Sequence, residues 1–139
     1  MFLGHTKSAD ELGIENHNYF QYDTSDSVKQ YELMKNIDTN RVQATVCLNR
    51  ADPGCSPDGT AIMYFTTLYM SDCWGDVRPE DYARTKEKVA NIMIDRFERD
   101  TGSKIRDSIE EISVATPMTY AHYCGHPEGG IYGYESQYW

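Results

Sequence analysis

No run of apolar residues in this 139-residue chain approaches the roughly 18 that a membrane-spanning helix needs. Nothing at the N-terminus resembles a signal peptide. Basic residues are scarce: 13 Lys and Arg stand against 22 Asp and Glu, a net charge of −9. That balance argues against nucleic acid as a partner, because a phosphate backbone is held by clustered Lys and Arg. The acids are dispersed and read as a solubilising surface rather than an acidic docking face. Four cysteines are present, Cys47, Cys55, Cys73 and Cys124, but without CxxC spacing. Cys124-Gly-His126 is a close Cys/His pair but only half of one zinc knuckle, so no metal site is expected. With no secretion signal, four reduced thiols and a cytoplasmic location follow as expectations.

Catalytic signatures are missing too. GxSxG, HExxH, GxxxxGK[ST] and the EF-hand loop do not occur, and Gly129-Gly-Ile-Tyr-Gly133 fails the dinucleotide pattern GxGxxG. Glu110 and Glu111 are adjacent, so on a strand they point to opposite faces and cannot serve one substrate together. His122 and His126 flank Cys124 with no Asp or Asn placed to complete a triad. No residue is assigned as acid, base or nucleophile. Internal repeats, linkers and low-complexity tracts are absent as well.

What is present is a single domain, 1–139, with ordinary contents of 40% hydrophobic and 25% charged residues. A chain of this length buries roughly two thirds of its unfolded surface. Met1–Thr6 opens apolar and extended, as expected of a segment cut from something longer. His17–Tyr22 reads as a second strand, and Ser25, Asp26 and Ser27 offer caps for a helix over Val28–Ile37. Arg41–Leu48 alternates, placing Val42, Ala44, Val46 and Leu48 on one side of a strand. Asn49–Gly59 is a Pro/Gly/Asp loop, and Thr60–Met70 a long, central strand antiparallel to the one before. Pro79 opens the clearest helix, with Tyr82, Val89, Ile92, Met93 and Phe97 on its core face and Gly102 as its stop.

Ile112 and Val114 alternate with Glu111 and Ser113 in a strand with one buried face. Thr116-Pro117 then caps a short helix through Met118–Tyr123, and Gly125, Gly129, Gly130 and Gly133 follow closely. These glycines let the backbone approach something flat or bulky. Eleven tyrosines are the compositional oddity, and Tyr120, Tyr123, Tyr132, Tyr134 and Tyr138 crowd this end. Tyrosine joins an apolar body to a polar tip, which suits a pocket wall, although most are ordinary sheet and core material. The order strand, strand, helix, strand, strand, helix, strand, helix defines an α+β fold. It calls for a mainly antiparallel or mixed sheet with helices packed on one face.

Two segments resemble the phytoene dehydrogenase-related flavoproteins, which include carotenoid desaturases, carotenoid isomerases and retinol saturases. Asn49-Arg-Ala-Asp-Pro-Gly-Cys-Ser-Pro-Asp-Gly-Thr60 is similar to that group's Asp-Pro…Pro-x-Gly loop between sheet strands. Glu110–Tyr120 with Gly129–Gly133 is similar to its Thr-Pro strand end and later glycine-aromatic-glycine step. Leu3-Gly4 and Gly13–Tyr19 match in order as well, so the resemblance covers essentially the whole chain.

The resemblance implies a substrate-side domain, a fragment of a larger FAD-dependent oxidoreductase acting on carbon–carbon double bonds of a polyene or isoprenoid lipid. The FAD-binding Rossmann part is absent from this chain. It implies Thr116, Tyr120, Tyr123 and Tyr132 at the substrate and Gly133 at the cofactor. FAD is expected in the full-length parent and none on the fragment, which is inactive alone. Expected partners are an apolar small molecule, the remainder of the parent chain and, once excised, further copies of itself. The parent would be cytoplasmic or membrane-peripheral. The rival reading is a stand-alone α+β module binding a small apolar ligand or a protein.

Overall fold

The computed structural model describes residues 1–131, the Glu128 side chain apart. Five strands, β1 (Phe2–His5), β2 (Asn18–Gln21), β3 (Gln43–Cys47), β4 (Ala61–Thr66) and β5 (Ile109–Ser113), form one sheet. Its order is β2-β3-β4-β1-β5, with every neighbouring pair antiparallel. Three helices accompany it: α1 (Ser27–Leu33), α2 (Tyr82–Thr101) and α3 (Pro117–Cys124). The architecture is α+β, in the element order read from the sequence.

β4 is the central strand because its side chains alternate fully: Ala61, Met63 and Phe65 are buried, with Ile62, Tyr64 and Thr66 between them. Register carries that face across the sheet, Leu3 beside Met63 and Thr45 beside Phe65. α2 lies over it. Val89, Met93, Ile94 and Phe97 recur at helical spacing and are buried. Phe97 meets Tyr19 and Phe65 edge-on, with ring centroids 5.1 and 5.5 Å away. The helix ends where a residue must turn left-handed, and Gly102 does so at φ 77°. On the sheet's other face Phe2 and Phe20 are more than half exposed.

Three strands differ from their reading. β3 is shorter than the 41–48 read from the sequence, and it turns Gln43, Thr45 and Cys47 toward α2, leaving Ala44 and Val46 together on the other side. Polar partners explain why this face turns inward. The Gln43 amide donates to Gln21 Oε1 (2.8 Å) and to the Met93 carbonyl (3.2 Å), and Gln21 donates to Asp100 (2.7 Å). Buried Arg96 completes the set by donating to Asp23 (2.6 Å), Asp100 and the carbonyls of Tyr22 and Arg41. β4 stops at Thr66, and the chain then leaves the sheet as an irregular segment. β5 is an edge strand whose expected apolar face stays open, Ile112 being half exposed. α1 ends at Leu33, and its buried residue is Gln30, while Val28 and Tyr31 face outward.

Candidate functional site

A cavity of about 510 Å³ opens at one end of the sheet. Its size falls within the roughly 300–1,000 Å³ usual for small-molecule sites. The floor is the middle of α2, through Val89, Ala90 and Met93. One wall is the segment that leaves β4, carrying Tyr69 and Trp74, and the opposite wall is Val114 to Ile131. Met1 and Phe2 close a third side, where the terminal ammonium donates to the Phe65 carbonyl (2.8 Å).

Thr116 organises the α3 wall. Its hydroxyl accepts from the Thr119 amide while the Thr119 hydroxyl accepts from the Thr116 amide, a reciprocal cap. Pro117 takes the first helical position, where it loses no helix hydrogen bond. The Tyr82 hydroxyl lies 2.6 Å from Thr116 Oγ1 and ties this cap to the first turn of α2. Farther on, Gly129 adopts φ +72°, and a Cβ there would collide with the Pro117 carbonyl. The close approach expected of the glycine-rich return is therefore to the chain's own helix start.

Of the residues singled out in the sequence, Thr116 and Tyr120 reach this cavity. Thr116 is 2% exposed and its hydroxyl is engaged in the cap. Tyr120 is partly open to solvent, and Tyr123 is 81% exposed and off the cavity wall. Tyr132 and Gly133 lie outside the described residues. Among the wall residues that escaped sequence reasoning are Tyr69 and Trp74, from a stretch read as strand end and loop, and Val89 and Met93, read as core. The aromatic density of 64–74 was the signal available.

The wall is mainly apolar. Among the described residues it carries no Lys, Arg, His or Cys, and Asp72 is its one charged side chain. Asp72 Oδ1 accepts from the Gly75 amide (3.1 Å), closing a turn. Such a surface can enclose and orient an apolar molecule, and among the described residues its hydroxyls have no His, Lys or Cys beside them on the wall. Nor do these residues fit the pyrophosphate half of a dinucleotide. That half needs a glycine-rich strand-to-helix turn, and no such motif occurs in the chain. Among the described residues no three His, Cys, Asp or Glu side chains converge as metal ligands. No described helix is long and apolar enough to cross a membrane.

Comparison with known proteins finds distant relatives. The chain is 27% identical over 150 residues to an all-trans-retinol 13,14-reductase of Danio rerio, covering 96% of this chain and 24% of that one. It is 30% identical over 82 residues to the chloroplastic prolycopene isomerase of Daucus carota, covering 59% of this chain and 13% of that one. The Arabidopsis thaliana prolycopene isomerase is 30% identical over 78 residues, 56% of this chain and 13% of its own length. The chain thus spans about a quarter or less of the curated relatives it matches. No protein-family model and no solved structure matches it. The relatives are enzymes named for retinol and prolycopene, the kind of protein to which the loop and strand-end motifs point.

Proposed function

We propose that this chain is the substrate-side part of an FAD-dependent oxidoreductase acting on carbon–carbon double bonds of a polyene or isoprenoid lipid. The cavity between α2 and α3 receives the apolar substrate. The observation that carries the reading is the alignment along 96% of the chain with a retinol reductase. The apolar wall supports it, since it suits a ligand without charge. FAD supplies the redox chemistry when bound in the complete enzyme, and the rest of that enzyme holds its pyrophosphate. This chain's residues enclose the substrate, exclude water and set its position. Alone it has no oxidoreductase activity. The remainder of the parent covers the exposed sheet face, and the isolated chain self-associates through its tyrosine-rich end or an unpaired sheet edge. The working location is cytoplasmic, or peripheral on a membrane, and nucleic acid is not a partner.

Titration with all-trans-retinol tests the proposal, followed by quenching of intrinsic fluorescence. Binding near one equivalent, abolished when Ala90→Trp fills the floor, is expected. Retinol binding that survives Ala90→Trp, or no binding at all, overturns the cavity assignment. Incubation with excess FAD and desalting should leave no flavin. A retained stoichiometric chromophore would place the cofactor site within this chain and defeat the division of labour proposed here. A stand-alone carrier of apolar ligands is the second reading, favoured by a wall that among the described residues carries no Lys, Arg, His or Cys. It predicts the same retinol binding, and activity restored by adding the flavin-bearing remainder of a relative would exclude it.

A further inference from the structure

Ile112 lies in register beside buried Leu3, so its side chain is on the α2 side of the sheet, yet it is 50% exposed. It forms part of one wall of an open groove of about 570 Å³ between α2 and β5. Ile109 and Val114 continue that wall, and Ala83, Ala90 and Ile94 face them from the helix. Those three recur at i, i+7 and i+11, one side of α2, and follow about 16 Å of it. None of the groove's charged members is buried. Arg106 among them is engaged by Asn91 (2.7 Å) and Asp95 (2.6 Å).

The groove adjoins the cavity. Ala90 and Val114 line both. Tyr82 lines the groove and Thr116 the cavity, and the contact between their hydroxyls marks the border. Ala90 offers only a methyl group there and Val114 is half-buried, so the two apolar spaces meet over small side chains. The cavity by itself is short. At about 30 Å³ for each heavy atom, the share one water molecule takes in its liquid, 510 Å³ holds roughly 17 of them. That admits a fifteen-carbon alcohol and leaves a twenty-carbon one overhanging.

We propose, resting on the reading of the cavity as an apolar-ligand site, that the α2–β5 groove is a second subsite for the same ligand. It takes the tail of a linear isoprenoid too long for the cavity. The chain passes over Ala90 and Val114 and lies against Ile94, Ile109 and Ile112. The occupant follows from the shared border, since a molecule already seated in the cavity has its overhanging end beside this groove. Affinity then grows with length past fifteen carbons, because each added carbon leaves water for an apolar wall.

The test compares all-trans-farnesol with all-trans-geranylgeraniol, of fifteen and twenty carbons, on the purified 139-residue chain. Geranylgeraniol should bind about tenfold more tightly or better. Added length favours any apolar surface, so Ile112→Glu decides: it should erase the difference between the two alcohols. In parallel, the δ-methyl resonances of Ile94, Ile109 and Ile112 should move on adding geranylgeraniol and stay in place with farnesol. Equal affinities in the wild type overturn this inference and leave the cavity reading standing. A difference that persists in Ile112→Glu overturns it too, by placing the tail elsewhere. If neither alcohol binds, the cavity reading falls along with it. Should Ile112→Glu fail to fold, the wild-type resonances decide: methyl signals indifferent to geranylgeraniol reject the proposal.

Discussion

The Tyr82 hydroxyl sits 2.6 Å from Thr116 Oγ1, joining the first turn of α2 to the cap of α3 across 34 residues. α3 buries none of its own side chains, so this bond and the cap are what hold it in place beside the cavity. Tyr82→Phe should cost about 1 kcal/mol, the usual net worth of one hydrogen bond. Thr116→Ala removes the cap as well and should cost about 1–2 kcal/mol. The two losses overlap, so a double-mutant cycle by urea denaturation should return a coupling of roughly 0.5–1 kcal/mol. Strict additivity would mean that the bond does not anchor the helix.

Gly129 makes a narrower prediction. Its left-handed backbone and its closeness to the Pro117 carbonyl exclude a side chain. Gly129→Ala should locally destabilise the return by roughly 1–3 kcal/mol. Gly130, at φ −52°, should accept alanine far better. Amide hydrogen exchange over residues 117–131 reads the difference, and equal protection in the two variants would contradict the packing described.

Arg96 is 6% exposed, between Asp23 at 2.6 Å and Asp100 at 3.2 Å. Arg96→Met leaves Asp23 and the carbonyls of Tyr22 and Arg41 without their partner, while Asp100 keeps Arg99 and Gln21, and should cost about 2–3 kcal/mol. Adding Asp23→Asn should recover part of that loss, because one uncompensated charge disappears. A double variant no more stable than Arg96→Met would show that the pair is not the source of the cost.

His5 sets the response to acid. Its Nδ1 lies 2.9 Å from Ser108 Oγ, and the ring is 2% exposed. Burial, partly offset by the Ile105 backbone, pulls its pKa from 6.5 to about 4. Between those values the unfolded chain holds more protons than the folded one, so stability rises with pH there. The full contribution is present above pH 6.5 and is lost as the pH falls toward 4. At roughly 1.4 kcal/mol for each pH unit of the gap, about 3 kcal/mol is at stake. Urea midpoints from pH 7 to 4 should fall for the wild type and flatten over that window in His5→Gln. Parallel curves would assign the acid sensitivity to other groups.

The sheet and the long helix were legible because their signals are local. Ala61–Thr66 alternates strictly, and Pro79 and Gly102 bracket a period-3.6 stripe. The inner face of β3 was not legible. Its pattern favours Val42, Ala44 and Val46, and only partners distant in sequence, Gln21 and Met93, make Gln43 the inward residue. Arg96 was equally hidden, since Asp23 lies 73 residues away. At the site, the cap at Thr116 was readable from Thr116-Pro117, a two-residue signal. The contribution of Tyr69 and Trp74 was not, because it depends on how an irregular segment folds back over α2. Ile112 misled for a different reason: alternation describes a strand's two faces, but an edge strand can leave both open.

Gln43 has one more effect. Apolar contacts are non-directional, so a helix held on a sheet by them alone can roll or slide at little cost. An amide with fixed acceptors removes that freedom, and the one on Gln43 ends on the Met93 carbonyl, in the floor of the cavity. Shifting α2 by a single residue would leave the Gln43 amide with Gln21 alone and break its bond to the helix. That bond fixes the register of the floor against the sheet, so a guest that needs the helix displaced must break it and binds more weakly for that.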